Sequence, residues 1–160
     1  MERVEQLLKN EQFLKILREI DKLEADRIFC KHGLPHLLDV ARIGWIIILE
    51  EKIPIAKDLY YAAALLHDLG RCEQYLNGTP HAQVSAELAG NFLPEAGYLP
   101  DETEEIVRAI RLHGRESDRT HDTLSWVLYR ADKLSRNCFQ CGAQKECNWK
   151  DEKRNKTIKY

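Results

Sequence analysis

Five of the six histidines fall at the starts or ends of predicted helices or in the turns beside them: His32, His36, His67, His81 and His113. Helices packed in a bundle can bring such positions to one cavity. A neutral imidazole offers a metal ion one lone pair, while carboxylates add negative charge and can bridge two cations. Such a mixed set favours Fe, Mn, Ni, Co or Zn over Mg. A single histidine at a helix end more often packs or caps, so only the repeated placement predicts a metal site.

The dipeptide His67-Asp68 is the centre of this prediction because it follows an apolar run, residues 61–66. Two polar groups at the end of a buried helix need partners, since burying them unpaired is costly. Adjacent helical side chains point about 100° apart, so the pair can hold one cation only where it faces a cavity between helices. The alternative is an exposed helix C-terminus at which His67 interacts favourably with the helix dipole. The residues of this segment leave both interpretations open.

Five sequence blocks together resemble the HD superfamily of metal-dependent phosphohydrolases. Three blocks carry its H…HD…D signature, and two resemble the extra histidines of its binuclear branches, which include the HD-class diadenosine tetraphosphate hydrolases. In chain order the blocks are Leu34-Pro-His36-Leu-Leu-Asp-Val40-Ala-Arg, Ala-Leu-Leu-His67-Asp68-Leu-Gly-Arg71, Thr79-Pro-His81, Ala109-Ile-Arg-Leu-His113 and Arg130-Ala-Asp132-Lys-Leu134. Their order and approximate separations match the superfamily over about residues 30 to 136. An HD dipeptide alone is weak evidence for membership of this superfamily, so the resemblance depends on all five blocks.

The resemblance implies a metal site for one or two ions, with Asp68 shared between them when there are two. The implied ligands are His36, His67, Asp68 and Asp132 for one cation, and Asp68, His81 and His113 for the other. Two cations would lower the pKa of a water molecule and orient it for in-line attack on phosphorus. The implied activity is hydrolysis of a phosphoester or phosphoanhydride in a nucleotide-like small molecule, with His67 and Asp68 at the catalytic centre. Without the resemblance, Asp132 would be interpreted as a surface carboxylate paired with Arg136 four residues later.

Three arginines near these blocks are candidates to hold phosphate oxygens through paired hydrogen bonds: Arg71, Arg115 and Arg136. Arg71 ranks first and is assigned a catalytic role because it directly follows the HD block. Solvated surface charges are the alternative interpretation for all three.

Two further histidines receive different interpretations. His32 lies four residues before His36, but Gly33 and Pro35 argue against a continuous helix on which both could bind one ion. His32 is therefore expected beside the ligands or facing the substrate. A second HD dipeptide, His121-Asp122, lacks a preceding apolar run, and its carboxylate is predicted to cap a helix.

Two other functions remain open at the level of sequence. One branch of the same superfamily uses a similar six-ligand site to activate dioxygen, so a di-iron oxygenase is the rival enzyme. The rival from another class is a non-catalytic binding or regulatory module with a structural metal. It is disfavoured because structural sites are normally closed, whereas histidine–carboxylate sites with room for water are usually reactive.

A cluster of cysteines follows the last block. Cys138, Cys141 and Cys147 form a C-x2-C-x5-C run, a spacing found at zinc and iron–sulfur sites. Cys30 could supply a fourth ligand to a structural zinc ion if the C-terminal segment folds back beside it. The alternative, small partly buried thiols, is favoured because no second C-x2-C completes the usual framework. Cys72 is interpreted as an ordinary packed or surface thiol.

Positioning these residues requires an all-α bundle of about six helices in a single domain. The predicted helices run from Glu11 to the late twenties, from Pro35 to about Glu51, from Lys57 to Leu69, from about His81 to Leu93, from Asp101 to Gly114, and from near Asp122 to Asn137. Asp101 with Glu104 has capping-box spacing, and Gly114 is expected in a left-handed cap. Within the domain, residues 1–29 form an N-terminal helical segment, 30–136 the metal-binding core and 137–160 a cysteine-containing tail.

The composition is that of a globular protein with a small-molecule partner. The 160 residues are 44% hydrophobic, and 24 basic against 26 acidic residues give a net charge of -2, which disfavours general nucleic-acid binding. No stretch approaches the roughly 18 apolar residues of a membrane span. Five cysteines without an export signal argue against a disulfide framework and predict a cytoplasmic protein. The expected partner is a phosphorylated, nucleotide-like small molecule.

Overall fold

The computed structural model describes residues 1–114 and 123–160, and within these ranges the regular secondary structure is helical throughout. The α-helices are α1 (Glu2–Lys9), α2 (Glu11–Leu23), α3 (Leu34–Glu51), α4 (Lys57–Leu66), α5 (Arg71–Asn77), α6 (His81–Glu95), α7 (Pro100–Leu112) and α8 (Leu124–Leu134). Single turns of 3-10 helix follow at Cys138–Gln140 and Asp151–Lys153. The predicted all-α fold is confirmed.

Helix α1 lies within the predicted N-terminal helical segment but was not predicted as a separate helix, and α5 was not predicted. The side chain of Asn10 accepts hydrogen bonds from the backbone N–H groups of Gln12 and Phe13, which caps α2, while its own N–H bonds to the carbonyl of Leu7 and closes α1. Helix α5 lies between Gly70 and Gly78, and Gly78 ends it with a φ of 74°. Helix α5 buries none of its seven residues and so lacks an apolar face that the sequence could reveal.

Several predicted helix boundaries were wrong. Helix α2 ends at Leu23 rather than in the late twenties, and α8 ends at Leu134 rather than near Asn137. Helix α6 continues through Pro94 to Glu95 rather than ending at Leu93, and the proline removes one backbone hydrogen bond from its last turn.

The predicted capping details also differ from the structure. Helix α7 begins at Pro100 rather than Asp101, and Glu102, not Glu104, accepts the backbone N–H of Leu99. Gly114 is not among the glycines with positive φ, because α7 already ends at Leu112, with His113 in a right-handed conformation.

Helix α4 forms the centre of the core. Every residue from Leu59 to Leu66 is buried except Tyr61, and the helix packs against α3, α7 and α8. Tyr60 reaches α3 and donates a hydrogen bond to the carbonyl of Val40 at 2.9 Å. A Cβ atom at Gly44 would lie 1.7 Å from the Tyr60 hydroxyl oxygen, so only glycine allows this approach. The chain that carries His67 and Asp68 therefore leaves the most buried helix of the described core.

Two sets of contacts hold the surrounding helices in place. Arg3 joins α1 to α4 and α7 through Asp58 at 2.7 Å and Glu102 at 2.5 Å. After α4, the N–H of Gly70 donates to the Ser85 hydroxyl at 2.8 Å and so fixes the turn against α6. A Cβ at Gly70 would lie 2.3 Å from the carbonyl oxygen of His81. The turn after α4 and the start of α6 are thus in direct contact.

Within residues 1–114 and 123–160, no helix combines the length and apolar character needed to cross a membrane.

Candidate metal centre

Five helices bring a potential ligand to one cluster. His36 lies in the first turn of α3, His67 and Asp68 directly follow α4, and His81 is the first residue of α6. His113 follows the last residue of α7, and Asp132 lies in α8. All six residues are buried except His81, which is partly exposed. The structure thus brings together all six residues that the sequence blocks singled out.

The first group of ligand atoms comes from His36, His67, Asp68 and Asp132, and these atoms lie within 4.8 Å of one another. The His36 Nε2 atom is 3.3 Å from Asp132 Oδ1 and 3.5 Å from Asp68 Oδ2. The His67 Nε2 atom is 3.3 Å from Asp68 Oδ2. Two ligands that are each about 2.1 Å from one ion lie roughly 3.0–3.4 Å apart, so these separations suit a shared transition-metal ion.

The second group consists of Asp68, His81 and His113. Its carboxylate atom is Asp68 Oδ1, which lies 3.4 Å from His81 Nε2 and 4.0 Å from His113 Nε2. The two Nε2 atoms are 3.3 Å apart. Asp68 therefore presents Oδ2 to the first group and Oδ1 to the second, which is the arrangement of a carboxylate that bridges two ions.

Hydrogen bonds at Nδ1 orient the imidazole rings toward the cluster. The Nδ1 atoms of His67 and His113 lie 2.7 Å and 2.5 Å from the carbonyl oxygens of Ala64 and Ile110. His36 Nδ1 contacts the Ser135 hydroxyl at 3.2 Å, and that hydroxyl donates to the carbonyl of Asp132. A carbonyl oxygen can only accept, and the Ser135 hydroxyl proton is already donated, so Nδ1 carries the proton in all three rings. The Nε2 atom of each ring therefore carries the lone pair that can bind a cation, and in His36 this lone pair now accepts from Arg136 Nη2 at 3.1 Å.

Two buried atoms support the assignment of a metal site. His67 Nε2 and Asp68 Oδ2 have no hydrogen-bond partner among the described residues. A buried polar atom without a partner costs roughly 1–3 kcal/mol, and native proteins keep few of them. Coordination to a cation would satisfy both atoms at once. The residues present therefore fit divalent metal ions.

The ionisation of the ligands also favours cation binding. Burial raises the pKa of Asp68 and of Asp132, but His67 near Asp68 and Arg136 near Asp132 outweigh it and hold both pKa values well below the usual range. Burial lowers the pKa of His81 to about 3 and that of His113 to about 4. At neutral pH both carboxylates are therefore charged and His81 and His113 are neutral, the forms that bind metal. Burial lowers the pKa of His67 as well, but the neighbouring Asp68 carboxylate outweighs burial and raises it.

Three cationic side chains contact the ligand carboxylates. Arg71 donates from Nε to Asp68 Oδ1 at 3.0 Å. Arg136 donates from Nη2 to Asp132 Oδ1 at 2.7 Å and lies 3.1 Å from His36 Nε2. Lys133 donates to Asp132 Oδ2 at 2.8 Å. The i,i+4 pair of Asp132 and Arg136 is therefore present, but it is buried within the cluster rather than at the surface.

A cavity of about 280 Å³ lies beside the cluster and includes Arg71, Lys133 and Arg136 in its wall. Arg27 and Arg154 add two further positive charges, and Phe29 and Trp149 contribute aromatic rings. An anionic molecule bound in this cavity would meet the same cationic groups that contact the carboxylates of Asp68 and Asp132. The cavity is thus suited to a phosphorylated small molecule.

His32 lines this cavity and belongs to a buried polar cluster that the sequence did not indicate. Glu24, which is only 1% exposed, accepts the backbone N–H of His32 at 2.6 Å and contacts its Nδ1 atom at 2.5 Å. The hydroxyl of Tyr75 also donates to Glu24. The rings of His32 and His36 lie 5.8 Å apart, which matches the expected position beside the ligands. Glu24 is separated from the motifs in sequence, so only packing could identify it.

Four of the five cysteines line the same cavity: Cys30, Cys138, Cys141 and Cys147. Burial raises the pKa of the Cys30 thiol, and the positive charge of Arg136 only partly offsets this rise. Among the described residues, the groups with ligand atoms within 4.8 Å of one another are the two histidine–carboxylate groups, and the cysteines are in neither. Cys72 lies elsewhere, with its sulfur 3.7 Å from the carbonyl oxygen of Ile16.

Three residues considered in the sequence, Arg115, His121 and Asp122, lie outside the described residues. Among the described residues, Thr123 caps α8 by accepting the N–H of Trp126. Sequence reasoning also missed the role of Ser135, although its spacing of three residues from Asp132 places both on one helix face.

Comparisons with known proteins agree with this geometry. The family model of the HD domain matches residues 33–137. The chain is 42% identical over 160 residues, the full length of both proteins, to an uncharacterized protein of Clostridium beijerinckii. It is 35% identical over 124 residues to YueE of Bacillus subtilis, a protein assigned as a phosphohydrolase, with 69% of each chain covered. It is also 30% identical over 121 residues to ribonuclease Y of Lawsonia intracellularis, of which it spans only 21%.

A solved structure is similar over most of its length. The crystal structure of a predicted HD superfamily hydrolase from an uncultured Thermotogales bacterium superposes with a TM-score of 0.65 at 28% identity. The similarity covers 89% of the chain described above and 79% of the other.

Proposed function

Because this chain belongs to the HD domain family, we propose that it is a metal-dependent phosphohydrolase that cleaves a phosphoester or phosphoanhydride of a small, nucleotide-like molecule. Family membership supports a metal-dependent hydrolase in general, and the substrate class is our inference from the site. The observation that carries the proposal is the position of Asp68, whose two oxygens face two separate groups of ligand atoms.

Two divalent ions would be held by the residues already described: His36, His67, Asp68 and Asp132 for one, and Asp68, His81 and His113 for the other. Such a pair, when bound, activates a water molecule and neutralises charge on phosphoryl oxygens. The number of imidazole ligands favours Mn, Fe, Co, Ni or Zn over Mg. The chain itself holds the ligands in place, because Ala64, Ile110 and Ser135 fix the rings through Nδ1.

Arg71 and Arg136 are our candidates to bind the phosphoryl group of the substrate. Both line the cavity, and each already contacts a ligand carboxylate, Asp68 and Asp132 respectively. A phosphate held by these guanidinium groups would lie next to the ligand cluster. Planar guanidinium groups also donate paired hydrogen bonds that match the geometry of phosphate oxygens.

The cavity supports a small substrate with an aromatic part. Its volume of about 280 Å³ lies just below the usual range for small-molecule sites, roughly 300–1,000 Å³. Phe29 and Trp149 offer ring faces on which a base could stack. These features together favour a nucleotide-like molecule over a simple phosphomonoester.

Manganese binding and phosphate release by a set of variants would test this proposal. Manganese is chosen because thiolates bind it weakly, so the count reports on histidine and carboxylate ligands. We expect about two ions per chain and phosphate release from nucleotides in the wild type and in Asp26→Ala, which removes an exposed carboxylate. His81→Ala should retain about one ion, and Asp68→Ala should lose both together with activity.

Three outcomes would contradict the proposal in whole or in part. Manganese-loaded protein that releases no phosphate from nucleotides, dinucleoside polyphosphates or phosphomonoesters would instead favour a non-catalytic binding module. Turnover that requires iron and consumes dioxygen would favour the di-iron oxygenase. Cleavage confined to RNA would overturn the small-molecule substrate class while keeping the phosphohydrolase.

A further inference from the structure

The C-terminal segment, residues 137–160, adopts a defined conformation with almost no core of its own. Ala143 is its one buried hydrophobic residue, and its helices are two turns of three residues each. Its conformation is held instead by polar contacts, notably Asn155, whose amide donates to the carbonyls of Lys133 and Arg136 at 2.8 Å. Segments that bury so little apolar surface commonly rely on a metal ion or a disulfide for stability.

Thiols converge where this segment meets the loop before α3. Cys138, Cys141 and Cys147 come from the segment, Cys30 comes from the loop, and all four line one cavity. All are free thiols rather than half-cystines. The condition under which Cys30 could complete the C-x2-C-x5-C set, a C-terminal segment folded back beside it, is therefore met.

We propose that Cys30, Cys138, Cys141 and Cys147 bind a structural zinc ion that fastens residues 137–160 to the loop before α3. Four thiolates are a common ligand set for structural zinc, and a C-x2-C pair places two of them on one short turn. This site is separate from the histidine–carboxylate cluster, whose ligands are nitrogen and oxygen atoms. It does not depend on the reaction proposed above.

The charges around the thiols suit such a site. One zinc ion with four thiolates carries a net charge of about −2. Arg27 and Arg154 line the same cavity and can offset that charge. Arg154 also donates to the carbonyl of Cys147 at 2.8 Å, which holds its guanidinium beside the sulfur ligands.

Formation of the site requires rotation of the cysteine side chains, because their sulfur atoms are not among the groups within 4.8 Å of one another. Cys30 is exposed and the other three are half-buried, so none of the four is locked into the core. Metal binding would then be coupled to local ordering, as is usual for small structural zinc sites.

Zinc content measured on purified protein tests the proposal. Wild type and Cys72→Ser, a matched control outside the cavity, should each carry about one zinc ion that the double variant Cys138→Ser/Cys141→Ser lacks. Asp68→Ala should keep this zinc even though it loses the ions of the histidine–carboxylate cluster. The zinc proposal and the phosphohydrolase proposal can therefore fail independently.

Cobalt substitution gives a second readout, because cobalt bound by thiolates should show sulfur-to-cobalt charge-transfer absorption in wild type and not in the double variant. Equal zinc content in all proteins, or iron with inorganic sulfide in place of zinc, would refute it.

A second measurement avoids any folding defect of the variants. Wild-type protein is alkylated with and without a zinc chelator, and each cysteine is followed by mass spectrometry. We expect Cys30, Cys138, Cys141 and Cys147 to be protected until the chelator is added, with Cys72 unaffected by it. Alkylation of all four at one rate in both conditions would exclude a zinc site.

Discussion

Single hydrogen bonds decide what the ligand cluster can bind. Each of three histidines gives its Nδ1 proton to an oxygen of a neighbouring residue, so Nε2 faces the cluster as a lone-pair donor. Asp68 contributes both oxygens in different directions and has Arg71 as a charged neighbour. The cluster would lose these properties if the rings were rotated, even with the same residues present.

Glu24 gives a prediction about acid stability. Burial raises its pKa, but hydrogen bonds from His32 and Tyr75 outweigh this and lower it from 4.5 to about 2. A carboxylate with a depressed folded-state pKa stabilises the protein above its unfolded pKa, and this contribution is lost as pH falls toward the folded pKa. Glu24→Gln should therefore be less stable than wild type at pH 7, and the difference should shrink between about pH 5 and pH 2.5.

Urea unfolding of the metal-free proteins at several pH values measures this difference. Glu11→Gln, which changes an exposed carboxylate, serves as the control and should differ little from wild type at any pH. A stability difference between wild type and Glu24→Gln that stays constant with pH would contradict the assigned role.

The ends of helices, rather than their middles, supply most of the ligands. His36 and His81 lie in first turns, while His67, Asp68 and His113 follow last turns. Such positions are set by how closely the helices approach one another. Gly44 allows α3 to contact Tyr60 of α4, and Gly70 allows the turn after α4 to contact α6. Close packing of these elements is therefore a condition for assembling the site.

A pair of glycine variants tests this dependence. Gly44→Ala places a Cβ 1.7 Å from the Tyr60 hydroxyl oxygen and should destabilise the fold by about 2–4 kcal/mol. Gly90→Ala, in α6, meets only Val107 Cγ2 at 4.0 Å and should be neutral or stabilising by up to about 1 kcal/mol. Denaturant unfolding compares the two. An equal change in the free energy of unfolding for both variants would show that the close contact between α3 and α4 does not require glycine at position 44.

At the scale of the whole molecule, the site couples distant parts of the chain. Its ligands come from five helices, and two of its buried atoms have no hydrogen-bond partner within the described part of the protein. The unfolded chain offers no such assembled site, so an ion that binds the native state stabilises it by mass action.

Removal of metal should therefore lower the melting temperature. An ion at one hundred times its Kd adds about 2.7 kcal/mol, which corresponds to a shift of roughly 5–10 °C for a chain of this size. Manganese added to metal-free protein should raise Tm by that amount in wild type and in Asp26→Ala. Asp68→Ala should show no shift, measured by circular dichroism. A full shift in Asp68→Ala would place the ion elsewhere.

The sequence by itself was sufficient for the all-α fold and for the selection of candidate residues. Apolar periodicity and N-cap residues such as Asn10 act within a few positions, so they can be recognised without knowledge of the fold. The His67-Asp68 dipeptide after a buried run, and the order of the five blocks, identified the six residues that the structure brings together.

Only the tertiary structure decided how these residues are used. Contacts such as Glu24 with His32 and Arg136 with His36 join segments with no shared local pattern. The same is true of the cavity that Cys30 shares with the C-terminal thiols. The true ends of α2, α6 and α8 likewise depend on packing against neighbours. Which oxygen of Asp68 faces which histidines is a matter of ångströms between separate helices, and such distances arise from the packing of the whole core rather than from any local pattern of residues.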